Sequence, residues 1–391
     1  MKLFLSACFR RFLRLAVCLT FLMAMSIDAR IWTDKHGRQI EAELLEILDK
    51  EVRIKRSDGR EYQVEISTFS QTDRDFIESQ REMQSDGHDE TDVEESWEGW
   101  PRALSFHRRP SVEIVEEGGD RFIYRTPHFE FQSDVRLSRN LVAELGHVFE
   151  TTHAALNALP LNLLTMEPGS SHFTTRLFSH AKDYYQAGGI PGSSGLYSPQ
   201  SRAILIPTEN LGVKESSSGF TLDRYAHNRV LIHEITHQVM DPWLFRIPVW
   251  LTEGMAVYME AAARKRGEFE FSSRTLEDYL LRHTPYLNGP LSITPLKELM
   301  GKSYPEWNSA FQSGPETTAR NYYSALLLTY YFFHLDDDPA RVRRFLRIHD
   351  PHVGVVPSAA QEVLLGERDY DELQNDLLRK FRRIGIRLTV D

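Results

Sequence analysis

Cysteine is nearly absent from this 391-residue chain, and its two copies, Cys8 and Cys18, both lie within residues 1–29. The rest of the chain therefore cannot form disulfide bonds or thiolate metal sites. An excess of basic charge is lacking as well: beyond residue 29, 42 Lys and Arg stand against 55 Asp and Glu, a net charge of −13. That balance argues against nucleic acid or an anionic membrane surface as the partner.

Long apolar runs are also scarce. Residues 15–25 form one, which follows four basic residues, has the length of the apolar core of a signal peptide and is too short to span a bilayer comfortably. We therefore expect residues 1–29 to be a signal peptide, cleaved after Ser26 or, preferably, after Ala29, and the protein to be exported to the periplasm or outside the cell. The later run at 321–333 is also too short for a span and predicts a core helix, so no membrane span is expected after signal removal.

Residues 30–80 carry the pattern of a small β-rich module. Apolar and charged residues alternate at 52–55 and again at 62–66, and the segment 57–60 between them contains Asp-Gly, which is typical of a hairpin turn. Ser70 followed by Asp73 predicts the capped start of a short helix.

The segments Arg30-Ile-Trp-Thr-Asp, Gly37-Arg-Gln-Ile-Glu-Ala and Phe69-Ser-Gln-Thr-Asp resemble the SLA-one homology domain, a small SH3-like barrel that occurs at the start of secreted bacterial proteins. The resemblance implies a binding or attachment role towards a protein or cell-surface ligand that it does not specify. The alternative is a purely structural appendage. Residues 81–100 follow as an acidic linker, because positions 86–98 hold seven acidic residues and no Lys or Arg.

Residues 101–391 predict one further domain. Gly118-Gly119 lies between two apolar stretches and indicates a hairpin, Ser138 precedes a long amphipathic segment as a helix cap, and residues 173–178 and 202–207 have strand composition. Beyond Ala263 the patterns are helical. The fold class expected for the whole chain is therefore α+β, with a small barrel followed by a domain that has a mixed N-terminal sheet and a mostly helical C-terminal half.

The segment His233-Glu234-Ile-Thr-His237 lies within a run whose apolar residues recur at helical spacing. On a helix, His233 and His237 sit one turn apart on the same face and can bind one metal ion, with Glu234 close by but not a ligand. The pentad by itself is weak evidence, since two packed or solvated histidines on a helix give the same pattern.

A second segment, Trp250-Leu-Thr-Glu-Gly-Met-Ala, opens another helix. Because Pro242 and Pro248 prevent the first helix from continuing, the chain must turn back, and an antiparallel return places Glu253 opposite the two histidines. Three protein ligands with one open position are what a catalytic zinc site requires. Gly254 and Ala256 are small enough to let two helices approach closely. A surface glutamate at a helix start is the alternative interpretation.

These two motifs together resemble the gluzincin metallopeptidases, and most of all the peptidase MA-like group of secreted bacterial proteins. The resemblance covers roughly residue 122 to the C-terminus. It implies a zincin-like catalytic domain, a Zn²⁺ ion held by His233, His237 and Glu253, and Glu234 as the general base in hydrolysis of a protein or peptide substrate.

The same resemblance implies a tyrosine whose hydroxyl reaches the active site, for which Tyr322 has the better register and Tyr323 is the alternative. Most tyrosines in such a helix only pack. It also implies an edge strand beside the zinc helix that pairs with an extended substrate, at 195–198 or at 203–206. The Gly-x-Met-Glu-Asn motif of zinc aminopeptidases is absent, so an endopeptidase is expected. The rival hypothesis is a non-catalytic cell-surface binding protein built on a peptidase-like domain.

Overall fold

The computed structural model describes most of the chain beyond the expected signal peptide. It describes residues 30–35, 38–48, 50–56, 58–70, 73–74, 77, 99–119, 121–163, 172–190, 193–211, 213–216, 219–222, 229–265, 267–351 and 360–390. The expected signal peptide and the expected acidic linker up to residue 98 lie outside this set. The described residues form two compact units, one within 30–77 and 340–366 and the other within 99–339 and 367–390.

The first unit contains an antiparallel four-stranded sheet. Its strands are β1 (Arg30–Thr33), β2 (Gln39–Ile47), β3 (Glu51–Arg56) and β4 (Glu61–Glu65). They lie in the order β1-β2-β3-β4, and β3 and β4 form the predicted hairpin. The prediction of a closed barrel was wrong for the described residues, because closure needs a ladder between the first and last strands. Here a single bridge between Asp34 and Phe69 lies beside β1.

Trp32 organises the core of this sheet. It is fully buried, its indole N–H donates to the carbonyl of Ala42 at 2.8 Å, and its ring lies 5.1 Å from the ring of Phe69. The predicted helix cap is confirmed, since the Asp73 N–H donates to Ser70 Oγ at 3.3 Å. The continuation of that helix at residues 75 and 76 lies outside the described residues.

The remaining strands all belong to the second unit. They are β5 (Ala103–Ser105), β6 (Glu113–Gly118), β7 (Arg121–Arg125), β8 (Phe129–Ser133), β9 (Phe173–Phe178), β10 (Leu196–Ser198), β11 (Ala203–Pro207), β12 (Val213–Ser216), β13 (Gly219–Leu222), β14 (Ala263–Lys265), β15 (Glu268–Glu270), β16 (Leu291–Ile293) and β17 (Leu388–Val390). The main sheet has six strands in the order β10-β11-β9-β8-β7-β6. Pairs β11/β9 and β9/β8 are parallel and the others antiparallel, so the predicted mixed sheet is confirmed.

The helices follow the predicted division into an N-terminal sheet and a helical remainder. They are α1 (Arg139–Asn157), α2 (Ala181–Gln186), α3 (Arg229–Val239), α4 (Val249–Ala262), α5 (Ser273–His283), α6 (Leu296–Gly301), α7 (Tyr304–Ser313), α8 (Pro315–Tyr330), α9 (Arg341–Ile348), α10 (Ala360–Leu365) and α11 (Tyr370–Arg383). Helices α9 and α10 belong to the first unit. Ser138 caps α1 as predicted, by accepting from the Leu141 N–H. None of the helices in the described part of the chain is long and apolar enough to cross a membrane. The chain is thus a mixed α+β protein.

Helix α4 is buried over its whole length between other helices of the second unit. Trp100, at the end of the expected linker, donates from its indole N–H to the hydroxyl of Tyr258 on α4 at 2.7 Å and stacks on Phe333 at 4.5 Å. Gly254 does allow a close helix approach, but to α8: a Cβ there would lie 2.1 Å from Thr329 Oγ1 and 2.7 Å from the Ala325 carbonyl oxygen.

Replacing Gly254 with alanine is therefore expected to separate α4 from α8. Overpacking of this kind costs about 1–3 kcal/mol, and in a unit of this size each kcal/mol lowers Tm by roughly 2–4 °C. Thermal unfolding followed by circular dichroism measures the change. Gly301→Ala is the matched control, because Gly301 also lies in a helix and has open space around its Cα. Equal Tm values for the two variants would show that α4 and α8 are not closely packed at Gly254.

Candidate metal centre

Helix α3 carries both predicted histidine ligands on one face. Its apolar residues Leu231, Ile235 and Val239 are buried, which fixes the rotation of the helix about its axis. His233 and His237 are 2% and 3% exposed, and their ring centroids are 4.7 Å apart. The helical period thus brings the two imidazoles together in an environment that excludes bulk water.

Helix α4 supplies the third group. Glu253 is completely buried, and its Oε2 lies 3.5 Å from Nε2 of His233 and 3.7 Å from Nε2 of His237. Two ligand atoms bound to one tetrahedral zinc at about 2.1 Å each are separated by about 3.4 Å. The three side chains are the one His/Cys/Asp/Glu group in the described residues whose ligand atoms all lie within 4.8 Å of one another. This spacing suits a shared metal ion better than direct hydrogen bonds, which are shorter.

Several polar atoms of this group lack a hydrogen-bond partner. Among the described residues, His237 Nε2 and both carboxylate oxygens of Glu253 are buried without a hydrogen bond. An unpaired buried polar group costs several kcal/mol, and an unpaired charge costs more. A divalent cation bound by these atoms would remove that cost, so the residues present fit a metal ion. Two imidazoles and one carboxylate are a donor set that Zn²⁺ accepts, with a fourth position left for water or substrate.

The charges around the centre also favour a cation. Burial acts to lower the pKa of His233, but the neighbouring carboxylates of Glu253 and Glu260 outweigh it and raise that pKa to about 10. Burial acts to raise the pKa of Glu253, and the two histidines outweigh it and lower that pKa to about 2. Protons on the imidazole rings therefore balance the negative charge of the Glu253 carboxylate. A bound metal ion would replace those protons.

Glu234 lies beside the three candidate ligands and outside their group. It is 2% exposed, and burial raises the pKa of its carboxyl group above the usual range. Its Oε2 accepts a hydrogen bond of 2.7 Å from the main-chain N–H of Tyr197, in β10. Of the two candidate edge strands only β10 is at the sheet edge, because β11 lies between β10 and β9. The base predicted from the sequence is thus held by the edge strand.

Of Tyr322 and Tyr323, Tyr322 is the one that lies near the candidate metal centre. Its ring centroid is 6.3 Å from that of His233 and 5.3 Å from that of Trp307, which it meets edge to face. The hydroxyl of Tyr323 donates to the carbonyl oxygen of Ser292 at 2.8 Å, in β16. The register that favours Tyr322 over Tyr323 agrees with this arrangement.

Glu260 was missed by the sequence reasoning. It lies seven residues after Glu253 on α4, about two helical turns, so both carboxylates point to the same side. Its Oε2 lies 3.6 Å from Nδ1 of His233, and neither atom has a hydrogen bond within the described residues. Its Oε1 accepts from the hydroxyl of Tyr279 at 3.2 Å. A carboxylate at the second nitrogen of a metal-binding histidine fixes the ring and its tautomer. The seven-residue spacing between Glu253 and Glu260 was the signal in the sequence that could have revealed Glu260.

Replacing Glu260 with glutamine is expected to weaken zinc binding about 10- to 100-fold. The amide oxygen would keep the hydrogen bond from Tyr279 and turn the NH₂ group towards His233 Nδ1. That donor favours the tautomer with the proton on Nε2, which cannot bind a metal. Competition with a chromogenic chelator measures the affinity, and Glu268→Gln on β15 is the control. An unchanged affinity would remove Glu260 from the metal centre.

Comparison with known proteins identifies a family for the first part of the chain. The family model described as SLA1 homology domain 1, SHD1, matches residues 24–85. This match supports the predicted N-terminal SH3-like domain and extends a few residues beyond both predicted boundaries. It does not reach the candidate metal centre. No curated protein and no solved structure matches the chain.

Proposed function

We propose that this protein is an exported zinc-dependent endopeptidase of the gluzincin type. The observation that carries the proposal is the buried set of His233, His237 and Glu253, with ligand atoms at metal-binding spacing and Glu234 beside them. A helix with two merely packed histidines would not need a buried carboxylate facing both of them. Export is proposed from the apolar run at 15–25, as stated above.

His233, His237 and Glu253 would hold the zinc ion, and Glu260 would orient His233. When bound, zinc polarises a substrate carbonyl and lowers the pKa of a coordinated water molecule from ~15.7 towards ~7. The side chains of this group are buried, so charges that develop beside them would be screened little by bulk solvent.

Glu234 would act as the general base. Its Oε2 is occupied by the Tyr197 N–H, so Oε1 is the oxygen that receives a proton from the attacking water. The water oxygen bonds to the carbonyl carbon, the bond from that carbon to nitrogen breaks, and Glu234 passes the proton to the departing amine.

Tyr322 would donate a hydrogen bond to the substrate carbonyl oxygen as negative charge develops on it. The ring position, 6.3 Å from His233 between centroids, supports this assignment. The first unit, with its similarity to SLA1 homology domain 1, would bind a protein or cell-surface ligand and hold the enzyme near its substrates.

A non-catalytic binding protein is the second candidate function, and the family match at 24–85 is the observation that favours it. Zinc content together with hydrolysis of an unfolded protein such as casein separates the two. The peptidase proposal expects about one zinc per chain and turnover that a chelator abolishes and added zinc restores. One zinc per chain with no turnover on casein or on a peptide library would favour the binding protein.

The endopeptidase proposal makes a further prediction about blocked peptides. Because an edge strand such as β10 pairs with the main chain on both sides of a scissile bond, free termini should not matter. An acetylated and amidated peptide is expected to have a kcat/KM within about threefold of the unblocked peptide of the same sequence, a difference under 1 kcal/mol. Mass spectrometry of the products locates the cut. A strong requirement for a free amino terminus would contradict the prediction.

A further inference from the structure

A partly buried carboxylate, that of Asp241, holds the edge strand β10 against the end of α3. Asp241 lies two residues after the end of α3 and accepts a 2.5 Å hydrogen bond at Oδ1 from the hydroxyl of Tyr197. Its Oδ2 lies 2.9 Å from Nε of Arg202, in the turn between β10 and β11. One carboxylate thus binds both the strand and the turn that follows it.

The same tyrosine also contacts the proposed base. The main-chain N–H of Tyr197 donates to Glu234 Oε2, while its side chain reaches Asp241. Glu234 lies on α3 and Asp241 lies just beyond its end, and both accept a hydrogen bond from Tyr197 of β10. Tyr197 therefore joins the helix and the segment that follows it through two different groups.

Two features show that this arrangement is held in place. Tyr197 is 7% exposed, and the Asp241 side chain is 15% exposed, so bulk water competes little for their hydrogen bond. Arg202 has a φ of +48°, a left-handed conformation that costs roughly 1–2 kcal/mol in residues other than glycine. The ion pair with Asp241 offsets part of that cost, because the Arg202 side chain is about half exposed and solvent weakens the pair.

We propose that Asp241 is a positioning residue for the general base: by binding Tyr197 and Arg202 it fixes β10 against α3, so that the Tyr197 N–H orients the Glu234 carboxylate. The inference rests on the proposed peptidase function. It adds a residue outside the metal ligands, the base and Tyr322. An N–H fixed on one carboxylate oxygen directs the other towards a bound water, and small errors in that direction slow proton transfer strongly.

The test compares the full-length protein with two variants that leave all metal ligands and Glu234 in place. Tyr197→Phe removes the hydroxyl and keeps the main-chain N–H and the ring. Asp241→Asn keeps the size and loses the charge that binds Arg202. Tyr286→Phe is the matched control, because this buried tyrosine donates its hydroxyl to a main-chain oxygen, that of Gly385, in another part of the unit.

Kinetics provide the first readout. Both variants are expected to keep about one zinc per chain and a KM within about twofold, while kcat falls about tenfold. The double variant is expected to fall no further than the worse single variant, because both changes weaken the same attachment of β10 to Asp241. Unchanged kcat in both variants, or additive losses, would overturn the positioning role.

Amide hydrogen exchange provides a readout that does not need activity. Residues 196–198 are expected to exchange at least about threefold faster in Tyr197→Phe and Asp241→Asn than in the wild type or Tyr286→Phe. Equal exchange would overturn the inference even in an active enzyme. A wild-type protein without peptidase activity would contradict the proposed function alone, and the exchange comparison would still decide whether Asp241 holds the strand.

Discussion

Glu234→Gln is expected to lower kcat for peptide hydrolysis by about 10²–10⁴ while zinc stays near one equivalent per chain. Glutamine has the same size and can still accept the Tyr197 N–H at its amide oxygen, but it cannot take a proton from water. Because Glu234 lies outside the group of three candidate ligands, its neutralisation should not release the metal.

The measurement combines elemental analysis of dialysed protein with initial rates on casein or a quenched peptide. Glu298→Gln is the control, since this exposed glutamate pairs with Lys302 at 2.6 Å on α6. A Glu234→Gln protein with full activity would show that another group is the base. Loss of zinc from it would show that Glu234 is itself a ligand.

Glu253→Ala is expected to abolish stable zinc binding. It removes the carboxylate whose Oε2 lies 3.5 and 3.7 Å from the two histidines, and two imidazoles alone hold zinc weakly. Zinc that binds only the folded state adds about 4 kcal/mol of stability when its free concentration is 1,000 times Kd. In a unit of this size that corresponds to roughly 8–16 °C in Tm.

The Tm of the wild type should therefore fall when a chelator is added and recover when zinc is restored. The Tm of Glu253→Ala should change with neither addition. Glu298→Ala should behave like the wild type. If Glu253→Ala keeps its zinc after mild chelation, the third ligand is a different residue and the pairing of α3 with α4 at the metal is wrong.

Local features of both units followed from the sequence. The hairpin between β3 and β4, the cap at Ser138 and the approximate limits of α3 and α4 each depend on neighbouring residues, through turn chemistry, capping and the positions of Pro242 and Pro248. The juxtaposition of His233 and His237 needed only the helical period. Such interactions join residues that are close in sequence, so a single segment contains every residue that determines them.

Features that join distant segments were predicted less well. Closure of the first sheet depends on whether its first and last strands pair over several residues, and alternation of apolar residues is the same in an open and a closed sheet. Gly254 was correctly interpreted as a position of close approach, yet its partner α8 begins far along the chain. A small residue indicates that another part of the chain packs closely there, but it does not identify that part.

The sequence by itself determined the residue types of the candidate centre and their spacing along two helices: His233, Glu234 and His237 on one, Glu253 on the other. The tertiary structure decided what surrounds them. The Tyr197 N–H that holds Glu234 belongs to the main chain and has no side-chain signature, and Glu260 faces His233 only because α3 and α4 pack with a particular rotation. The position of a main-chain donor and the rotation of a helix depend on how the whole unit packs. Burial of apolar surface fixes both, and no single segment contains all of that surface.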